Sequence, residues 1–215
     1  MIAERAATSV RECLEAILRS DVPRETVELL DRYVVLLLDE NSRHNLIARS
    51  TMDDIWQRHI IDSAQIIPFA PRPDSSWLDI GSGAGLPGLV IAILTESPVT
   101  LVEPRKLRAD FLQHAAEVLG LSSRVTIHAA KAERIEGVFE VITARAVASL
   151  DTLLRISLHL STDKTRWLFP KGKSAQSELD EVKRTWQGEF RLKPSQTDPE
   201  AAIIVAEHVQ RRGKR

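Results

Sequence analysis

Apolar positions in residues 1–70 recur at the three-and-four spacing that is typical of helices. One such face follows Pro23, a residue suited to the first turn of a helix, and comprises Val27, Leu30, Val34, Leu37 and Leu38. Thr51 resembles the N-cap of a later helix, since its hydroxyl can accept a hydrogen bond from a free backbone N–H group. We therefore predict a helical N-terminal segment over 1–70 that packs on the rest of the chain and ends at Pro68, Pro71 and Pro73.

After these prolines, short apolar runs alternate with longer amphipathic stretches. The runs typical of strands are 76–80, 99–103, 125–128, 139–143, 166–169 and 202–207, the last with a partner strand near Phe190. The stretches typical of helices are 87–94, 105–119, 150–160 and 174–186. This alternation predicts an α/β fold, a doubly wound and mostly parallel sheet, over residues 74–210, followed by a basic tail at 211–215.

A glycine-rich loop joins the first predicted strand to the next helix, which is the context of a nucleotide-binding turn. Asp79 precedes it, and glycines alternate through it at Gly81, Gly83 and Gly85, followed by Leu86, Pro87 and Gly88. Glycine has no Cβ, so the backbone there can approach a ligand closely. Glu103 ends the second predicted strand, where its carboxylate can accept hydrogen bonds from ribose hydroxyls. The loop therefore predicts a cofactor that contains adenosine.

Two such cofactors fit this loop. Residues 83–88 match the dinucleotide fingerprint G-x-G-x-x-G, which favours NAD. Asp79 with the alternating glycines looks instead like motif I of class I methyltransferases that use S-adenosylmethionine (SAM). An acidic residue before the loop suits the positive charge of SAM, whereas a pyrophosphate favours a free helix N-terminus. We favour SAM and keep NAD as the alternative.

Ligands of doubly wound sheets bind beyond the carboxyl ends of the strands. The loop after the third predicted strand contains Ala132 and Glu133 and is expected to reach the adenine ring. Arg145 follows the fourth predicted strand and is expected to face the reacting centre. Its guanidinium can hold a guanine O6 edge, a phosphate or the carboxylate of SAM, and the sequence does not choose among them.

The charge of the chain bears on whether it binds nucleic acid. The 215 residues carry 29 basic and 30 acidic side chains, so the net charge of −1 does not itself indicate a nucleic-acid partner. Basic side chains nevertheless cluster along the chain, and a cluster at the C-terminus contains Arg211, Arg212, Lys214 and Arg215. The side chains that we expect to contact RNA are Arg58, His59, Arg105, Lys106, Arg108, Lys171 and Lys173. His59 and Asp62 are three residues apart and share one helix face. A hydrogen-bonded pair that only holds the helical segment on the sheet is as good an interpretation of these two residues as a role in binding.

The sequence indicates neither a metal site nor a membrane-spanning helix. The single cysteine, Cys13, cannot form a disulfide within the chain, and the six histidines show no zinc-ligand spacing, so no metal is expected. The longest apolar runs have six residues, against the ~20 that a membrane helix needs. Charges at Glu4 and Arg5 stand where a secretory signal would be apolar. We expect a cytoplasmic protein.

Several segments together resemble the small-subunit 16S ribosomal RNA methyltransferase G family, also called glucose-inhibited division protein B. They are 45–47, 58–63, 79–88, 101–106, 132–133, 144–146 and 171–172, and the resemblance extends over residues 41–172. The family often has Ser where this chain has Ala144 and Thr where it has Ile47, so hydroxyl roles at these two positions are absent here.

The resemblance implies SAM-dependent methylation of N7 of guanine 527 in the decoding-region loop of 16S ribosomal RNA. It implies a Rossmann-like fold in which Gly81, Leu86, Ala132, Glu133 and Arg145 line the SAM site. Guanine N7 has a free lone pair and no proton, so the reaction needs positioning and no general base. The alternatives are a SAM-dependent methyltransferase for a small molecule and a ribosome-associated protein that binds SAM without turnover.

Overall fold

The computed structural model describes residues 2–213, and the side chains from residue 10 to residue 213. Its seven-stranded sheet has the order β3-β2-β1-β4-β5-β7-β6. The strands are β1 (Trp77–Ile80), β2 (Val99–Val102), β3 (Val125–His128), β4 (Val141–Thr143), β5 (Arg166–Lys171), β6 (Trp186–Pro194) and β7 (Ala202–Arg211). Strands β1 to β5 pair in parallel, and β7 is antiparallel to both β5 and β6. The predicted mostly parallel α/β sheet is confirmed.

Seven α-helices accompany the sheet in the described part of the chain. They are α1 (Ile2–Leu18), α2 (Arg24–His44), α3 (Asp62–Ala64), α4 (Gly88–Leu94), α5 (Lys106–Val118), α6 (Leu150–Ser157) and α7 (Ala175–Thr185). The four helices predicted after residue 74 are confirmed to within a few residues, and a 3-10 turn at Leu158–Leu160 completes the stretch that begins with α6.

Two hydrophobic cores lie on opposite faces of the sheet. Successive residues of a strand point to opposite faces, so Trp77 joins the core of α1, α2, α4 and α5, while Leu78 joins the core of α6 and α7. Val141 and Ile142 divide in the same way on β4. Because helices cover both faces, the central strands β1 and β4 are buried along their whole length, as parallel strands of doubly wound sheets are.

Helix α2 fixes the N-terminal segment against the sheet. Its predicted apolar face is buried in the same core as Trp77 and Leu89, through Val27, Leu30, Val34 and Leu37. Tyr33 is fully buried beside this face, and its hydroxyl donates a hydrogen bond to the Ala84 carbonyl at 2.8 Å. Burial raises the pKa of the Tyr33 hydroxyl, which keeps the proton on this donor. Helix α2 therefore supports the glycine loop directly.

The segment between α2 and α3 differs from the prediction. Thr51 closes a 3-10 turn (Arg49–Thr51), and its hydroxyl donates to the Ala48 carbonyl at 2.7 Å instead of capping a following helix. The reason is a tertiary contact, because the Thr51 hydroxyl also lies 2.8 Å from Nε2 of His59. A π-helix (Trp56–Ile61) precedes α3, and such wide turns are frequent at functional sites.

The predicted basic tail begins inside the sheet, since Arg211 is the last residue of β7. Arg212 follows it and donates from Nε to the Lys183 and Trp186 carbonyls, each at 3.0 Å, at the end of α7. Lys214 and Arg215 lie outside the described residues. Within residues 2–213, no helix combines the length and the apolar character that crossing a membrane requires.

Replacing Tyr33 with phenylalanine is expected to lower the free energy of unfolding by about 1–3 kcal/mol, because the buried Ala84 carbonyl loses its donor. Urea unfolding at neutral pH measures the change. Val35→Ala, on an exposed position of the same helix, is the control and should stay within about 0.5 kcal/mol of the wild type. A Tyr33→Phe variant as stable as this control would contradict the structural role.

Candidate active site

Two cavities meet at the carboxyl ends of the parallel strands. The loop cavity, of about 310 Å³, lies between the glycine loop, the end of β2 and the loop after β3. The Arg145 cavity, of about 580 Å³, lies between the π-helix, the loop after β4 and the β6–β7 loop. Ala146 and Val147 line both cavities and thus form the wall that they share.

Glu103 ties the glycine loop to the end of β2. Its Oε2 accepts a hydrogen bond from the Gly83 amide at 3.0 Å, and its Oε1 accepts one from the Arg105 amide at 2.9 Å. The side chain is almost fully buried, yet it lines the loop cavity. Each carboxylate oxygen has two lone pairs, so both oxygens can still accept a bond from a ligand hydroxyl.

Asp79 holds the loop from below and does not line either cavity. It is fully buried, its Oδ2 accepts from the Gly88 amide at 3.1 Å, and its Oδ1 has no hydrogen-bond partner among the described residues. Burial raises the pKa of Asp79 from its usual 3.8 to about 7. Its carboxyl points under the loop toward the start of α4, so the structure places Asp79 behind the lining of the loop cavity, and its contact with the charged groups of a cofactor stays a prediction.

The glycines of the loop serve different purposes. A Cβ at Gly85 would lie 2.5 Å from Leu89, and a Cβ at Gly88 would overlap Leu101. These two glycines are needed for packing of the chain on itself, so close approach to a ligand does not explain them. Leu86 is likewise buried in the core and lies outside the lining of the loop cavity.

Gly81 lies on the side of the loop that faces the loop cavity, whereas Gly83 is not part of the cavity lining. Gly81 has a φ of +67° and lines the loop cavity, where a Cβ would lie 2.7 Å from Val147. At Gly83 a Cβ would meet only the Gly81 carbonyl and the Arg108 guanidinium, at 3.7 and 3.8 Å. Ala132 and Glu133, from the loop after β3, face the same cavity. The structure thus brings four of the predicted cofactor residues together here, namely Gly81, Glu103, Ala132 and Glu133.

Arg145 joins three separate parts of the chain. Its Nη1 lies 2.8 Å from Oδ2 of Asp62, and its Nη2 lies 3.0 Å from Nδ1 of His59. The other carboxylate oxygen of Asp62 accepts from the hydroxyl of Thr197 at 2.7 Å and from Gln65 at 2.8 Å. Arg145 therefore lines the Arg145 cavity and not the loop cavity, in a bonded network with α3 and the β6–β7 loop.

His59 is neutral in this network. Burial and the neighbouring Arg145 cation lower the pKa of His59 to about 4. Arg145 can only donate, so Nδ1 of His59 accepts from it, and the ring proton on Nε2 faces the Thr51 hydroxyl. His59 and Asp62 share a partner in Arg145, which gives both a positioning role at the wall of the cavity.

The predicted RNA contacts fall into different surroundings. Arg58 lines the Arg145 cavity and forms an ion pair with Asp198 at 3.0 Å. Lys171 lines the same cavity but is mostly buried, with Nζ 2.6 Å from the Ala148 carbonyl and 2.9 Å from Glu178. Burial disfavours the charged form of the Glu178 carboxyl, but hydrogen bonds from Lys171 and from neighbouring groups outweigh this effect and lower the pKa of Glu178 below its usual range. Lys171 thus belongs to an internal ion pair and not to an open basic surface.

The other four basic positions are at the surface. Arg105 and Arg108 line the loop cavity. Lys106 pairs with Asp110 at 2.7 Å, and Lys173 pairs with Glu200 at 3.1 Å, with both lysines largely exposed. The structure therefore divides the predicted RNA contacts between the two cavities and the open surface.

Several residues of the Arg145 cavity were missed by sequence reasoning. Ser195, Thr197 and Asp198 reach it from the β6–β7 loop, 130 or more residues from the helical segment that they contact. Ala146 has a φ of +56°, a conformation in which a non-glycine residue is strained. It presents Val147, which is 42% exposed, at the meeting point of the cavities. No local pattern marks these positions.

Carboxylate, thiol and imidazole groups are the side chains that most often bind metal ions. In the described part of the chain, no three of these side chains lie together in a way that could hold a metal ion.

Comparison with known proteins identifies close relatives. The family model of rRNA small subunit methyltransferase G matches residues 26–197. A protein of Rhizorhabdus wittichii named ribosomal RNA small subunit methyltransferase G is 53% identical over 196 residues, which cover 90% of each chain. A protein of Zymomonas mobilis with the same name is 50% identical over 207 residues, covering 90% of this chain and 93% of its own.

Solved structures with little sequence similarity share the fold. P. horikoshii TYW2, solved in complex with MeSAdo, superposes with a TM-score of 0.54 at 14% identity and covers 71% of this chain and 62% of its own. The B. subtilis tRNA methyltransferase TrmK has a TM-score of 0.54 at 14% identity and covers 68% of this chain and 64% of its own. The α/β fold is thus one that methyltransferases use.

Replacing Asp79 with asparagine is expected to change the pH dependence of stability. The raised pKa means that the folded state binds the proton of Asp79 more tightly than the unfolded state does, so the wild type loses stability as pH rises from about 4 to about 7. Asparagine does not ionise, so the free energy of unfolding of the variant should rise relative to that of the wild type across this range.

Urea unfolding at several pH values between about 4 and about 8 measures this difference. Asp163→Asn, at an exposed position, gives the baseline for loss of a surface carboxylate. A difference between Asp79→Asn and wild type that stays flat across the range would show that the buried carboxyl does not titrate there.

Proposed function

The chain belongs to the rRNA small subunit methyltransferase G family, and we propose that it transfers a methyl group from SAM to N7 of a guanine in 16S ribosomal RNA. Family membership establishes the general activity, SAM-dependent methylation of small-subunit ribosomal RNA. The observation that carries the finer proposal is the shared wall of the two cavities at Ala146 and Val147. A cofactor in one cavity and a base in the other would approach each other there.

The loop cavity suits the adenosine part of SAM. Ile80, Val102 and Ile156 give it an apolar wall for a purine ring, and Glu103 offers carboxylate oxygens to the ribose hydroxyls. Its volume of about 310 Å³ is within the range of small-molecule sites. When bound, SAM supplies an electrophilic methyl group on a positively charged sulfonium. We assign direct contacts to Gly81, Glu103, Ala132 and Glu133, and assign Asp79, Gly83, Gly85 and Leu86 to the shape of the loop.

The Arg145 cavity suits a nucleotide base. Its volume of about 580 Å³ exceeds that of the loop cavity, and its wall offers fixed donors from Arg145 and hydroxyl groups from Ser195 and Thr197. Arginine commonly recognises guanine through the O6 and N7 edge. We propose that Arg145 holds O6 of the guanine and leaves N7 directed at the shared wall. Arg145 is the residue that we propose as catalytic.

The protonation states in the cavity agree with this chemistry. Guanine N7 has an in-plane lone pair and carries no proton, so no side chain has to act as a general base before N7 is methylated. His59, the imidazole next to Arg145, is already neutral and has both ring nitrogens engaged by Arg145 and Thr51. The residues of this cavity therefore act by positioning, which can contribute ~7–11 kcal/mol to lowering a barrier between two bound reactants.

The direct test is transfer of a labelled methyl group from SAM to small ribosomal subunits that lack the modification, and in parallel to naked 16S ribosomal RNA. We expect N7-methylguanine at a single nucleotide of the decoding-region loop. Label on a different atom or on a different nucleotide would overturn the finer proposal. The comparison of the two substrates shows whether the protein acts on RNA alone or on an assembled subunit.

Replacing Arg145 with glutamine is expected to lower kcat/KM for methyl transfer on the order of 100-fold, because a small misplacement of the base already costs this much. The affinity for SAM, measured by calorimetry, should remain near that of the wild type, because Arg145 lines the other cavity. Lys164→Gln makes the same change of charge at an exposed position and is the control. A loss of SAM affinity in Arg145→Gln would place Arg145 on the cofactor instead.

A further inference from the structure

We propose that a third cavity, the α6–α7 groove, binds the backbone phosphates of the RNA next to the nucleotide that is methylated. The groove has a volume of about 470 Å³ and includes Arg155, Arg184, Arg211 and Ser149 in its wall. It is distinct from the loop cavity and from the Arg145 cavity. The inference rests on the proposed function, because it requires an RNA strand that enters the Arg145 cavity.

Three arginines converge on this groove from three different elements. Arg155 lies on α6, Arg184 lies on α7 and Arg211 ends β7, and all three are exposed. In residues 10–213, no carboxylate oxygen lies within 4.0 Å of their guanidinium nitrogens. Their charges are therefore not neutralised by direct ion pairs. A planar guanidinium can donate two parallel hydrogen bonds to a phosphate, which makes this arrangement suitable for a phosphodiester backbone.

The acidic residues of the groove cancel only part of this charge. Asp151 is engaged internally, because its Oδ1 accepts a hydrogen bond from the indole of Trp186 at 2.8 Å. Glu181 is the other carboxylate of the wall, so three cations face two anions. Arg212 adds a further positive charge at the end of the groove, where its Nε bonds the carbonyls of Lys183 and Trp186.

The groove and the proposed guanine site have consecutive residues of the chain in their walls. Ala148 lines the Arg145 cavity, and Ser149, the next residue, lines the groove. Ser149 also caps α6, since its hydroxyl accepts from the Thr152 amide at 3.4 Å. Lys171 fixes the junction through its bond to the Ala148 carbonyl at 2.6 Å. A strand that leaves the Arg145 cavity over Ala148 thus meets the three arginines.

The experiment compares two triple variants that remove the same charge. The first combines Arg155→Gln, Arg184→Gln and Arg211→Gln. The control combines Arg19→Gln, Lys164→Gln and Lys193→Gln, which are exposed positions outside all three cavities. Binding of naked 16S ribosomal RNA and of small ribosomal subunits is measured over a range of salt concentrations, together with SAM affinity and methyl transfer.

For the arginine variant, we expect the slope of log K against log salt to become shallower by about two to three, since each of the three lost contacts to a phosphate reduces it by roughly 0.7–0.9. RNA affinity near physiological salt should fall about tenfold or more. SAM affinity, and the kcat for methyl transfer at saturating RNA, should be unchanged. The control variant should keep most of the wild-type slope, because its residues lie outside the proposed path of the RNA.

Different failures have different meanings. If the wild type transfers no methyl group to RNA or subunits, the proposed function is wrong. If the wild type is active and both triple variants give the same salt slope, only the role of the groove is overturned. A defect on subunits with unchanged binding of naked RNA would assign the groove to a ribosomal protein, and this too would overturn the proposal.

Discussion

The hydrogen bonds that hold the backbone of the glycine loop determine the shape of the whole site. Asp79 binds the Gly88 amide, Glu103 binds the Gly83 amide, and Tyr33 donates to the Ala84 carbonyl. These three side chains come from β1, from the end of β2 and from α2, so the loop is fixed from three directions. A loop without regular structure gains from such bonds a single backbone conformation, which a preformed ligand site requires.

Arg145 fixes the walls of the Arg145 cavity, just as the carboxylates of Asp79 and Glu103 fix the glycine loop beside the loop cavity. One guanidinium binds Asp62 and His59, and Asp62 in turn binds Thr197, so the end of β4, the helical segment and the β6–β7 loop are held together. The partly buried charge of Arg145 is tolerated because it has an opposite charge and directed hydrogen bonds. The N-terminal helical segment therefore supports the glycine loop through Tyr33 and forms part of the Arg145 cavity through His59 and Asp62.

Much of the fold followed from periodicity, since strands such as β1 and β2 and the helices between them carry strong and local patterns. The glycine loop and Glu103 were also recognisable, because both lie at the carboxyl ends of neighbouring strands. The direction of Asp79 was not, because whether a carboxylate faces a ligand or the loop behind it depends on packing. The π-helix and the role of Thr51 depend on contacts between distant parts of the chain, and the contribution of Thr197 does so across 135 residues.

That last contact has a consequence for the order in which the molecule can be completed during its synthesis. The lining of the loop cavity lies between residues 80 and 156, whereas the Arg145 cavity needs Asp62 and residues up to 203. A nascent chain can thus complete the first wall well before the second, and closing a contact of such sequence separation is slow compared with forming local structure. The nearly full-length chain is consequently the earliest form in which both cavities coexist, so the loop cavity can be complete while the Arg145 cavity still lacks one of its walls.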